Sequence, residues 1–356
     1  LHPTSLRAAR RKSSPGIISV FLAPWQKRPV VLRRFCFNGW PITAAAVCSV
    51  FWSWLALWLL PGGSKPWSPP RLAHVPNIVL GRYSRLAKVY FIGLAAALMC
   101  AAIARGWIQE PSMPAAPDLL GLVAHLFFAP DLLGVPALTA GAWYMAIDLQ
   151  LYAMLALMCA SAGFVTRGSS FAKVVALVMV TALATCSLME FNLHSELDIW
   201  GIYFFGSYGL GIAAYWVSRC EGWHKAMWTL VMMLVLVPWR SRIAVSAVTV
   251  LVLVLLGKYR SLSCGWPTRL AFYLSRISFP LFVLHYPALM LVGALVASHW
   301  EDNAVANLLG LVAVWAVSMA AATLASNWLD PVAKPSPDNG ASACAQWPHT
   351  TQLAQV

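Results

Sequence analysis

The chain has 356 residues; 60% are aliphatic, aromatic, Met or Cys, only 10% are Asp, Glu, Lys or Arg, and the mean hydropathy is +0.69. A soluble domain carries about 25% charged residues, so this composition excludes an ordinary soluble fold and predicts a polytopic membrane protein. The net charge of +13 is unevenly spread, with every acidic residue at Glu110 or beyond, which reads as basic cytoplasmic flanks rather than a nucleic-acid surface.

Residues 1–41 form a basic N-terminal segment, with eight Lys or Arg in residues 1–34. A bundle follows over 42–330. A membrane-crossing helix needs about 20 apolar residues. Nine are predicted, at roughly 42–60, 86–104, 142–165, 171–189, 199–218, 225–239, 243–257, 277–298 and 305–329. The expected fold class is therefore an all-α membrane bundle. The stretch 119–130, LLGLVAHLFFAP, is apolar but stops at Pro130 before Asp131. It reads as a half-helix or re-entrant piece rather than a span. Residues 331–356 read as a disordered cytoplasmic tail.

Basic residues in the connections orient the spans. LGRYSRLAK, Arg167 with Lys173, and Lys258 to Arg276 face the cytoplasm; the acid-bearing 105–141, 190–198 and 299–303 face out. The first span breaks this alternation, because 1–34 and Lys65, Arg71, Arg82 and Arg85 are basic on both of its sides. Either 42–60 is a hairpin or interfacial segment, or an upstream span is missing and the N-terminal segment is non-native. With that span restored the bundle has ten.

The eight cysteines include no CxxC pair. They read as small buried hydrophobes, without a disulfide framework or a metal site.

Three polar features stand out. Asp148, in GAWYMAIDLQLYAML, is alone in an apolar run, with Tyr144 and Tyr152 on its helix face at i−4 and i+4. It lies about six residues, roughly 9 Å, below the outer end of its span; an acid at mid-span costs about 2.5–3.5 kcal/mol, and less nearer the interface, so it is expected to face the bundle or a wet cavity. A structural hydrogen bond and a functional role are both open to it. His285 lies between Pro280 and Pro287, with Ser278 seven residues earlier on the same face. A lone histidine there is a satisfied structural group or a base. Arg82 and Arg85 form R-x-x-R at the inner mouth of the second span. They either anchor the helix or grip phosphate. His125 and His194 lie in outward connections and read as solvated loop histidines.

Three stretches in order, RYSRLAKVYFIGL, WYMAIDLQLYAML and ISFPLFVLHYPAL, resemble the R-x-x-R-L, W-x-L-x-x-E-x-x-x-Y and S-Y-x-x-Y-L-x-H-x-P segments of acyltransferase family 3. The likeness covers about 80–330. It implies a bundle of about ten helices in the bacterial inner membrane. It also implies transfer of an acyl group, typically acetyl, from acyl-CoA to a hydroxyl of a surface glycan or lipid-linked sugar. No bound cofactor is implied. By this resemblance Arg82 and Arg85 meet the donor's phosphates. Trp143, Asp148, Tyr152 and His285 line or brace the reaction cavity. One departure is plain: the family's first-span histidine has no counterpart, since the only histidine between residues 3 and 81 is His74, in a polar stretch. Two rival readings stand beside the enzyme. One is a transporter or flippase with an Asp148–His285 proton relay; the other is an inactive, structural relative.

Overall fold

The computed structural model describes residues 68–108, 114, 116–169, 171–219, 248–249, 251–252, 266–300 and 303–329. The basic segment 1–41, the expected spans 42–60 and 225–239, most of 243–257, and the tail 331–356 lie outside the described residues. Among the described residues all regular secondary structure is helical. The helices are α1 Val75–Trp107, α2 Leu119–Leu126, α3 Ala142–Val165, α4 Ala172–Met189, α5 Gly201–Arg219, α6 Trp266–Trp300 and α7 Ala304–Leu329. Short 3-10 turns occupy Leu72–His74, Phe191–Leu193 and Ser195–Leu197.

Five stretches are long and apolar enough to cross a bilayer: Leu72–Trp107, Ala142–Val165, Ala172–Leu193, Tyr273–Trp300 and Ala304–Leu329. They correspond to the expected spans at 86–104, 142–165, 171–189, 277–298 and 305–329. This is the architecture of a multi-pass, all-helical membrane protein. The span expected at 199–218 is helical as α5 but is not among the five; glycines, tyrosines and serines dilute its apolar surface. The stretch at 119–130 does not cross. Asp118 caps α2 by accepting from the Gly121 N–H at 2.7 Å. The helix is only eight residues long, about 12 Å, and Phe128 after it turns left-handed at φ 55°.

The packing is organised around α1. Along its N-terminal half runs α3, antiparallel: a Cβ on Gly163 would meet Pro69 at 2.6 Å, while Asp148 reaches Arg82. Along its C-terminal half runs α6, in the same direction, with Val283 beside Gly93 and Ala294 beside Ala104. Small side chains make that approach possible, as membrane helix pairs require. A Cβ at Gly93 would stand 2.0 Å from Val283 Cγ1. Helices α4 and α5 pack on each other and on α3, and α7 returns along α6.

Pro280 in α6 has no N–H for the carbonyl of Arg276. Ser326 of α7 donates its hydroxyl to that carbonyl at 3.5 Å instead. Tyr273 and Thr323 share a hydrogen bond of 2.7 Å, and Arg276 donates to Asn327, so a polar ladder joins the two helices. The buried stripe of α7 is small or polar, Asn307, Gly310, Ser318, Ala322 and Ser326. Its other side exposes Leu308, Val312, Trp315, Leu324 and Trp328, the surface suited to lipid.

Candidate functional site

Two turns into α1, Arg82 turns inward and meets Asp148 of α3. Its Nε donates to Asp148 Oδ2 at 2.9 Å and its Nη2 to Oδ1 at 3.1 Å. The Asp148 side chain is 0% exposed and that of Arg82 13%. A lone acid in an apolar helix is costly. A two-pronged guanidinium fork supplies both opposite charge and directed donors. The Arg82 guanidinium carbon also lies 5.7 Å from the centre of the Tyr152 ring, close enough for a cation–π contact. Fully buried Tyr208 of α5 lies within electrostatic reach of the pair.

Spacing along each helix places Arg82 at the inner mouth of its span and Asp148 near the outer end. The structure brings them into contact. The reason is the path between α1 and α3. After α1 the chain doubles back beside it: the Arg105 Nη1 donates to the Pro114 carbonyl at 3.1 Å. Further on, the Tyr83 hydroxyl donates to the Leu126 carbonyl at 2.5 Å, and the Tyr83 and Phe128 rings lie 4.9 Å apart. Helix α3 therefore starts deep alongside α1, and six residues into α3 is the level of Arg82.

The R-x-x-R pair is split. Arg85 is exposed and donates its Nε back to the Gly81 carbonyl at 3.3 Å. Tyr144 and Tyr152 both lie within electrostatic reach of Arg82; Tyr152 lies against its guanidinium, and the buried Tyr144 ring also packs 4.9 Å from Phe282 of α6. Trp143 contacts Tyr144 at 6.0 Å and Phe204 of α5 at 6.3 Å, so it braces α5 rather than Asp148.

His285 is half-buried, and its Nδ1 lies 2.6 Å from the Phe282 carbonyl. A carbonyl only accepts, so Nδ1 carries a proton, and in the neutral form of the ring the lone pair is on Nε2. Phe282 stands between the histidine, 5.9 Å away, and Tyr144. No hydrogen bond or ion pair joins His285 to Asp148. Ser278 spends its hydroxyl on the Ser275 carbonyl at 2.8 Å.

The two outer histidines part company. His125 is not solvated but 0% exposed. Its Nδ1 donates to the Gly121 carbonyl at 2.7 Å and its Nε2 accepts from the Leu138 N–H at 3.0 Å. It pins both arms of the segment between α1 and α3. Burial pushes its pKa below the usual histidine range, in keeping with an unprotonated Nε2. His194 is exposed as expected, held by Glu190 at 3.0 Å and Glu196 at 3.2 Å. The Glu190 hydrogen bond is the main cause that raises its pKa.

Cys186 is exposed rather than buried; Cys100 and Cys159 are half-buried and free. Among the described residues, no group of three or more His, Cys, Asp or Glu is placed to hold a metal ion.

Several residues that matter here carry no obvious signal in sequence. Gly141, against the Phe282 ring, lets the start of α3 approach α6. Gln150, two residues past Asp148, accepts from the Gly201 N–H at 2.7 Å and donates to the Ile199 carbonyl at 3.3 Å. It thereby seats the first turn of α5. Phe282, three residues before His285, is recognisable only as a helix-face neighbour. No protein-family model, curated protein or solved structure matches the chain.

Proposed function

We propose that this chain is an O-acyltransferase of the bacterial inner membrane, moving an acetyl or related acyl group from acyl-CoA to a hydroxyl of a glycan or lipid-linked sugar. The full bundle in this reading has nine spans, or ten with an upstream one. One observation carries it: three stretches far apart in sequence meet in space. Arg82 bonds Asp148, Gly141 and Tyr144 pack on Phe282, and Phe282 holds His285. These are the stretches on which the family resemblance rests.

In this reading His285 is the base, since the only histidine in residues 3–81 is His74, in a polar stretch. Its Nε2 takes the proton of the acceptor hydroxyl. The oxygen attacks the thioester carbonyl carbon, the C–S bond breaks, and the leaving CoA sulfur recovers the proton from His285. Asp148 holds Arg82 in place, and Arg82 with exposed Arg85 draws the phosphates of the donor. A proton-relay transporter has less support, since Asp148 is committed to Arg82 and His285 to its own helix.

The test is acetyl transfer from labelled acetyl-CoA in vesicles containing the protein. His285→Ala should lower transfer about 100-fold or more with assembly intact. Undiminished transfer in that variant, or sugar flux without any donor, overturns the proposal.

A further inference from the structure

Arg276 lies one turn into the apolar stretch Tyr273–Trp300 of α6. Its Nη2 donates to the Asn327 amide oxygen of α7, while its Nε is enclosed without a hydrogen-bond partner. The residue as a whole is half-buried. Among the described residues no carboxylate forms an ion pair with it. Arg82 differs, since Asp148 neutralises it. A charge beside hydrocarbon is costly without a counter-charge, and Asn327 is neutral. A guanidinium nitrogen enclosed without an acceptor also calls for a cause.

The guanidinium is not a free arm. Its own carbonyl accepts from the Ser326 hydroxyl at 3.5 Å, and one turn earlier Tyr273 bonds Thr323 at 2.7 Å. Both helices therefore fix its position. On the charge pattern this end of α6 faces the cytoplasm, the side on which basic sites between membrane helices meet anionic headgroups. Asn327 is exposed. Beside it Trp328 is 74% exposed, and Leu324, one turn deeper on the same face of α7, is 70% exposed. A cation and an amide thus lie at the head of an apolar surface, next to an indole of the kind that settles at the membrane interface. A soluble anion has no use for that apolar surface; a phospholipid engages both parts.

We propose that Arg276 and Asn327 hold the phosphate of an anionic phospholipid of the inner leaflet, with an acyl chain lying along Trp328 and Leu324. Arg276 supplies the charge and a planar fork of donors suited to phosphate. The Asn327 amide N–H group adds a donor, since its oxygen is taken by Arg276. The site stands whether or not the chain transfers acyl groups.

The test adds phosphatidylglycerol to the full chain in neutral detergent and follows the melting temperature. The wild type should gain about 5 °C at saturation. Phosphatidylcholine and inorganic phosphate should give no such gain. Arg276→Gln should abolish the gain. Asn327→Asp keeps the fold and places a carboxylate on the guanidinium, so this variant should melt higher without lipid and gain almost nothing from phosphatidylglycerol. Arg167→Gln, an exposed inner-side arginine away from the site, changes the net charge equally and should keep the whole gain. An equal gain with phosphatidylcholine or with inorganic phosphate overturns the proposal. So does a full gain in Asn327→Asp, or an equal loss in Arg167→Gln, which would mean diffuse attraction to the basic side.

Discussion

Arg82 and Asp148 share two hydrogen bonds in the interior, and removing one partner strands the other. Asp148→Ala should cost about 3–5 kcal/mol, measured by thermal or denaturant unfolding in detergent. Arg82→Met with Asp148→Leu should recover most of that stability, because an apolar pair of similar volume replaces a desolvated ion pair. If the pair also serves chemistry, the recovered variant stays inactive; full acetyl transfer by it would make the pair purely structural. His125 gives a pH signature. Burial lowers its folded pKa, so the unfolded chain, near the ordinary value of about 6.5, binds more protons between the two. Stability there rises with pH. The contribution is complete above about pH 6.5 and is lost as pH falls toward the folded value. Melting temperature should drop on acidification, and His125→Gln should flatten that drop. His194 has the opposite sign: its clamp is fully formed below its unfolded pKa and weakens as pH rises through the raised folded value.

Between elements, the contact of α1 with α6 at Gly93 leaves no room for a Cβ. The Val283 side chain occupies the space a Cβ at Gly93 would need. Gly93→Ala should therefore destabilise by about 1–3 kcal/mol through overpacking. Val283→Ala should be milder in the Gly93→Ala background than alone, a coupling that a double-mutant cycle reads directly. Additive effects would mean that the contact relaxes without strain. On the other side of α6, the Ser326 hydroxyl stands in for the donor that Pro280 lacks. The proline-interrupted helix thus depends on α7 for a backbone hydrogen bond, and this ties the segment carrying His285 to the last helix described.

At the scale of the molecule, α4 separates two exposed loops, and the charge pattern assigns them to opposite sides. Ser169 and Ser195 are both exposed. In a cysteine-free background, Ser195→Cys should react with an impermeant maleimide added outside intact cells. Ser169→Cys should react only after permeabilisation. Labelling of both from one side would remove α4 from the bilayer. The helices do not share one level along α1: α3 accompanies its N-terminal half and α6 its C-terminal half. The ion pair lies two turns into α1, in the half that α3 accompanies, and Tyr144, one turn before Asp148, meets Phe282 of α6.

Composition and hydropathy alone determine the membrane class and the five apolar helices, because a bilayer demands long apolar segments whatever their neighbours. They also single out Asp148, since a lone acid in such a segment requires a partner. Tertiary structure alone decides which partner. Depth counted along a helix assumes that the helix begins at the membrane surface, and α3 begins partway down α1 because 116–141 folds back first. That same doubling back converts His125 from a loop residue into a buried strut. It separates Arg82 from Arg85. Hydrogen bonds between residues 66 positions apart, as at Arg82 and Asp148, have no period for a pattern to reveal.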